Sequence, residues 1–177
     1  ADDWFATLAE RFVPAGRWCD PGMKPATDPA ELTPETIAAM RTGIESSLAA
    51  AGNDDFLAWL GAWLTEPKLN LELEPDARAW SDAEVTALLQ AWPHLDRDGR
   101  SVMLFAKPSA RAGRAWLFAN GRSYALSPEL APLASLLASS RRIACERLRP
   151  WLGQQEASAL LAALLRAGHY LIPDDVE

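Results

Sequence analysis

Cysteine and histidine are scarce in this 177-residue sequence, with two of each. Cys19 and Cys145 lie far apart and neither belongs to a Cys-x-x-Cys pair. That excludes a disulfide framework and a cysteine-rich metal module, and two reduced thiols in a cytoplasmic protein are the expectation. No Gly-rich phosphate loop and no Gly-x-Ser-x-Gly elbow is present, so nucleotide and serine-hydrolase chemistry have no foothold. No apolar run approaches the roughly 18 residues of a membrane span. The N-terminus also lacks the basic-then-apolar pattern of a signal peptide. No membrane partner is expected. Adjacent carboxylates, Asp54-Asp55 and Asp174-Asp175, read as solvated charge.

Leu and Ala are abundant, which favours helix. The formal net charge of −7 conceals a division. Residues 1–96 carry 6 Lys/Arg against 17 Asp/Glu, and residues 97–149 carry 10 against 3. An acidic front and a basic middle predict two modules with different surfaces.

The chain opens within an amphipathic helix, Trp4-Phe5 to Phe12-Val13, which suggests a fragment boundary. A Pro- and Gly-rich loop over 14–34 follows. Thr33-Pro34-Glu35 then supplies an N-cap, a proline at the first helical position and an early acid. The helix behind it carries Ile37, Met40, Ile44 and Leu48 on a narrow stripe. After Gly52, a second helix bears Phe56, Leu57, Trp59, Leu60, Trp63 and Leu64, an apolar face close to half its circumference. These two helices are expected to form an antiparallel hairpin. Residues 68–80 alternate as an extended run, and Ser81-Asp82-Ala83-Glu84 is a capping box. Strands are predicted over 101–106 and 114–119, and Asn120-Gly121 turns the second into a third over 122–126. Helices from Ser127, around 145–152 and over 154–167 follow, the last ended by Gly168. A short strand at 170–172 closes the chain. The fold class is therefore mainly α (α+β): a helical module, residues 1–80, then a winged-helix-like domain with a small antiparallel sheet, residues 81–177.

Three stretches carry a family resemblance. The first is Asp20-Pro21, Pro25 and Asp28-Pro29 ahead of the Thr33-Pro34-Glu35 cap. The second runs from Asp55-Phe56-Leu57-Ala58-Trp59 through Leu64 to Leu71-Glu72-Leu73-Glu74-Pro75. The third is Leu117-Phe118-Ala119-Asn120-Gly121 with the Leu160–Tyr170 helix region and its Gly168. In this order they resemble the C-terminal region of the bacterial JmjC (cupin-type) ribosomal oxygenases, arginine hydroxylases of a large-subunit ribosomal protein. The resemblance implies that a catalytic barrel using Fe(II) and 2-oxoglutarate precedes a helical dimerisation module and a winged helix. This chain would be the non-catalytic remainder, a homodimer that meets a ribosomal-protein substrate only through its parent. The Lys107–Arg114 loop is longer than the family's usual connection. The alternative from another class is a free-standing winged-helix nucleic-acid-binding regulator with a helical dimer module.

Candidate site residues follow. Trp4, Phe5, Leu8, Phe12, Phe56, Trp59, Leu60 and Trp63 offer more apolar surface than a small helical unit can hide, and are the candidate dimer interface. Arg97, Arg100, Lys107, Arg111, Arg114, Arg122, Arg141 and Arg142 form a candidate basic patch, with Arg147 and Arg149 nearby. Such a patch would give weak, sequence-independent nucleic-acid affinity. His94-Leu95-Asp96 with His169 has the residue types of an Fe(II) triad. It lacks the roughly eight strands of a jelly-roll barrel, so His94 is expected in a loop and His169 at a helix end. No catalytic, cofactor or metal residue is assigned in this chain.

Overall fold

The computed structural model describes residues 34–50, 53–67, 72–109 and 113–171. Contacts divide the chain into two compact units, Ala1–Gly52 and Asn53–Glu177, a division ahead of the 80/81 boundary read from the sequence pattern. In the first unit, α1 spans Pro34–Ala50, with Glu35 in its first turn and Ile37 exposed.

The second unit begins with α2, Asn53–Thr65, whose first turn holds Asp54 and Asp55 against the positive end of the helix dipole. Residues 72–80 have no regular structure. Then α3 spans Asp82–Ala91. Its capping box forms as expected: Glu84 N donates to Ser81 Oγ at 3.3 Å, and Ser81 N donates to Glu84 Oε2 at 2.7 Å. Strands β1 (His94–Arg97), β2 (Met103–Ala106), β3 (Ala115–Ala119) and β4 (Arg122–Leu126) follow. A 3₁₀ turn, Pro128–Leu130, leads into α4, Ala131–Ser139. Strand β5 is Arg142–Ala144, and α5 spans Gln155–Arg166 before β6, Tyr170–Leu171.

Two antiparallel three-stranded sheets result, ordered β5-β1-β6 and β2-β3-β4. The β3–β4 hairpin turns at Asn120 (φ 40°) and Gly121 (φ 82°), the paired positive φ that an Asn-Gly turn supplies. One face of the second sheet, with Leu117 at its centre, joins Leu88, Leu89, Leu95, Leu133, Leu137, Ile143, Leu161 and Leu164 in the core. All five β3 residues are buried, which explains their unbroken apolar run: the strand is covered on both faces. This helical and antiparallel-sheet arrangement is the expected winged-helix α+β fold.

Two local expectations are corrected. His94 opens β1 rather than lying in a loop, because β5 supplies a ladder for it: Leu95 pairs with Ile143, and both are buried. Residues 145–152 form two 3₁₀ turns, Cys145–Arg147 and Arg149–Trp151, instead of a helix, since Pro150 removes a donor there.

Candidate interaction surfaces

Helix α2 lies on the outer face of the second sheet through its smallest residues. Gly61 faces the ring of Phe118, and Phe118 stacks on Trp116 with centroids 6.0 Å apart. Ser123 Oγ donates to Ala58 O at 2.6 Å, and Gly121 N donates to Thr65 Oγ1 at 3.1 Å. Thr65 Oγ1 in turn donates to Gly61 O at 2.9 Å. At about 100° per residue, Ala58, Gly61 and Thr65 share one helix face, and Phe56, Trp59 and Trp63 fall on the opposite one. Those three aromatics form a continuous half-buried stripe, with centroids 5.8 Å apart for Phe56–Trp59 and 6.4 Å for Trp59–Trp63. Leu60 flanks the stripe and is also half-buried. Trp4, Phe5, Leu8 and Phe12 lie outside the described residues, as does Cys19.

The candidate basic residues do not form one surface. Arg97 turns inward, and its Nη1 donates to Ala138 O at 2.9 Å and Leu137 O at 3.4 Å. It thereby satisfies the last carbonyls of α4. Arg100 grips Asp98 through Nε (3.1 Å) and Nη2 (3.0 Å) and reaches Glu72 O with Nη1 (3.0 Å). Its guanidinium holds the Asp98 carboxyl below the usual range. Arg142 makes the same two-point contact with Asp96, Nε at 2.6 Å and Nη2 at 3.0 Å. Lys107, Arg114, Arg122 and Arg141 are exposed. Lys107 and Arg114 flank the loop at one end of the second sheet, whereas Arg122 pairs with Ala119 at the other. Four strand residues, about 13 Å, separate the two ends. Arg111 lies outside the described residues.

The His94, Asp96 and His169 trio does not fit an Fe(II) triad. His94 Nε2 is 3.2 Å from Asp96 Oδ2, but both Asp96 oxygens are taken by Arg142. His169 is 1% exposed and shares a 2.8 Å hydrogen bond between its Nδ1 and Ser101 Oγ. Burial, with the fields of Arg122 and Arg97, pushes it down to about 4, so the ring is neutral near pH 7. It does sit at a helix end, as expected. Among the described residues no three His, Cys, Asp or Glu side chains gather as a metal set. Sequence spacing gave no sign of the Ser101–His169 pair, whose members are 68 residues apart. Cys145 is a buried free thiol, raised by desolvation. No helix among the described residues is long and apolar enough to cross a membrane.

Residues 44–171 match the family model described as ROXA-like winged helix. Among solved structures, YcfD, a ribosomal oxygenase from Escherichia coli, aligns with 97% of this chain at 22% identity and a TM-score of 0.73. A structure of the same protein in complex with cobalt and 2-oxoglutarate aligns with 96%, at 22% identity and a TM-score of 0.71. This chain spans 46% and 44% of those two chains, less than half their length. No curated protein matches the sequence.

Proposed function

The chain belongs to the ROXA-like winged-helix family, and from that premise we propose that it is the non-catalytic C-terminal portion of a ribosomal-protein hydroxylase dependent on Fe(II) and 2-oxoglutarate. In this reading it pairs two subunits through residues 1–80 and supports engagement of the ribosomal-protein substrate. Metal and keto acid would be held by the parent's barrel, not by the residues described above. Support for the parent's chemistry comes from the solved ribosomal oxygenase bound to cobalt and 2-oxoglutarate.

The observation that carries the pairing is the orientation of α2. Its small-residue face is spent on the sheet, so Phe56, Trp59 and Trp63 point away from it. Taking a large apolar side chain from full exposure to full burial is worth roughly 1.5–3 kcal/mol. These three are already half-buried, and a two-fold partner offering the same stripe would add the remainder. The nucleic-acid reading has less behind it, because Arg97, Arg100 and Arg142 are engaged within the fold.

Light scattering after gel filtration tests the pairing. The 19.3 kDa chain should run at twice its mass at micromolar concentration. Trp63→Glu should run as a monomer, with the near-UV signature of the 81–177 region retained. A wild-type chain that stays monomeric at high concentration would rule the pairing out.

A further inference from the structure

A cleft of about 440 Å³ opens between the β3–β4 turn, the last turn of α5 and residues 72–75. Its volume falls in the range of small-ligand sites, roughly 300–1,000 Å³. Arg122 and Arg166 both line it, with His169 and Asn120 also in its wall. We propose that this cleft binds an oxyanion, a carboxylate or phosphate group, between the guanidinium groups of Arg122 and Arg166.

Charge is the first reason. Arg100, Arg142 and Arg78 are paired with carboxylates, but among the described residues neither Arg122 nor Arg166 has an ion-pair partner. Glu72 is the lining carboxylate, so two arginines and one acid share the wall. A guanidinium presents its N–H groups in a planar fork suited to carboxylate and phosphate oxygens.

The helix end beside the cleft does not oppose an anion in the usual way. A C-terminus normally offers unsatisfied carbonyls and partial negative charge. Here all four last carbonyls of α5 are taken. Ala163 O accepts from Ala167 N, Leu164 O from His169 N, Leu165 O from Gly168 N and Arg166 O from Asp76 N, each at 2.9–3.0 Å. Asn120 likewise has its side chain committed: Oδ1 accepts from Val102 N and Nδ2 donates to Arg100 O.

The walls are also held in place before any ligand arrives. Asp76 N on Arg166 O and Arg100 Nη1 on Glu72 O fix the 72–76 segment, and Gly121 N on Thr65 Oγ1 fixes the hairpin turn. A pre-formed site loses little freedom on binding. Leu73, Pro67 and Pro75 in the lining lower the local dielectric and strengthen a guanidinium–oxyanion contact.

The test is an amide-resolved NMR titration of the whole 177-residue chain with inorganic phosphate, with succinate, and with chloride at matched ionic strength. Saturable shifts at Asn120, Arg122, Ala167 and His169 are expected with phosphate, succinate or both, and none with chloride. Which of the two saturates at the lower concentration tells a phosphoryl ligand from a carboxylate one. Arg122→Gln with Arg166→Gln should weaken binding about tenfold or more, while Arg114→Gln, at the other end of the sheet, should leave it unchanged. A response that chloride reproduces, that never saturates, or that survives in the double variant overturns the proposal. None of Phe56, Trp59 and Trp63 lines the cleft, so the titration and the light-scattering test of pairing can fail separately.

Discussion

A Cβ added to Gly61 would lie 2.2 Å from Cδ1 of Phe118, so α2 meets the sheet backbone against ring. Alanine in a helix interior is ordinarily worth about 1 kcal/mol over glycine. Here the extra methyl must displace a ring that is itself 2% exposed and stacked on Trp116. Overpacking of that kind costs roughly 1–3 kcal/mol, so the clash wins. Gly61→Ala should lower the urea midpoint of the 53–177 unit. Gly61→Ala combined with Phe118→Leu should recover part of the loss, and an unchanged midpoint in the single variant would contradict the docking.

Gly168 is constrained twice. Its φ is 75°, and a Cβ would fall 2.2 Å from Glu74 O, a backbone atom that cannot swing aside. Gly168→Ala should therefore destabilise by at least the roughly 1 kcal/mol of a left-handed alanine, and by more because the 72–76 segment must shift. Thermal unfolding reads this directly. A variant as stable as wild type would mean the helix end does not require that geometry.

Stability should fall with acid in a window set by His169. Its native value is pushed down to about 4, chiefly by burial, while an unfolded histidine titrates near 6.5. Between those values the unfolded chain binds a proton that the native chain does not. The stabilisation is fully present above pH 6.5 and is lost as pH falls toward 4, on the order of 3 kcal/mol in all. Asp98 and Asp96, lowered by Arg100 and Arg142, extend the loss below that window. Urea unfolding at pH 5 and pH 7 should show the difference. His169→Gln should flatten it, whatever that variant costs at neutral pH.

Two basic residues should separate cleanly by variant. Arg97→Ala removes the donor to the last carbonyls of α4 and should cost about 1–2 kcal/mol of stability. Lys107→Ala, exposed beside the β2–β3 loop, should change stability by less than about 0.5 kcal/mol. Any electrophoretic shift with duplex DNA should be weak, indifferent to sequence, lost at moderate salt, and further weakened by Lys107→Ala. Selection of one duplex sequence at physiological salt would instead favour a regulator.

Elements with strong local signals were legible. The Ser81–Glu84 box, the Asn120-Gly121 turn and the Gly168 stop each need particular residues at fixed offsets, and each forms where its pattern lies. Strands β1 and β5 were not legible. Four residues, His94–Arg97, and three, Arg142–Ala144, hold too few apolar positions to show a period, and they exist because they pair with each other across the chain. The broad face of α2 was visible, but its sidedness was not: only the sheet reveals that Gly61, rather than an aromatic, is the contact point. Composition marked the basic middle, yet it could not distinguish Arg97 and Arg142, absorbed by the fold, from Arg122, which lines a cleft with Arg166 from outside that stretch.

Strand β1 pairs with β6 through Arg97 opposite Tyr170, and Asp76 N reaches Arg166 O. During synthesis the early partner of each contact must wait for the late one to leave the ribosome. The β2–β3–β4 meander is built from near neighbours and can form first, but the sheet holding β1 closes only when the last strand emerges. Such delayed, long-range closure slows folding and leaves the β1 edge open to other chains in the interval. The few residues after α5 thus decide when the nascent unit becomes safe from aggregation.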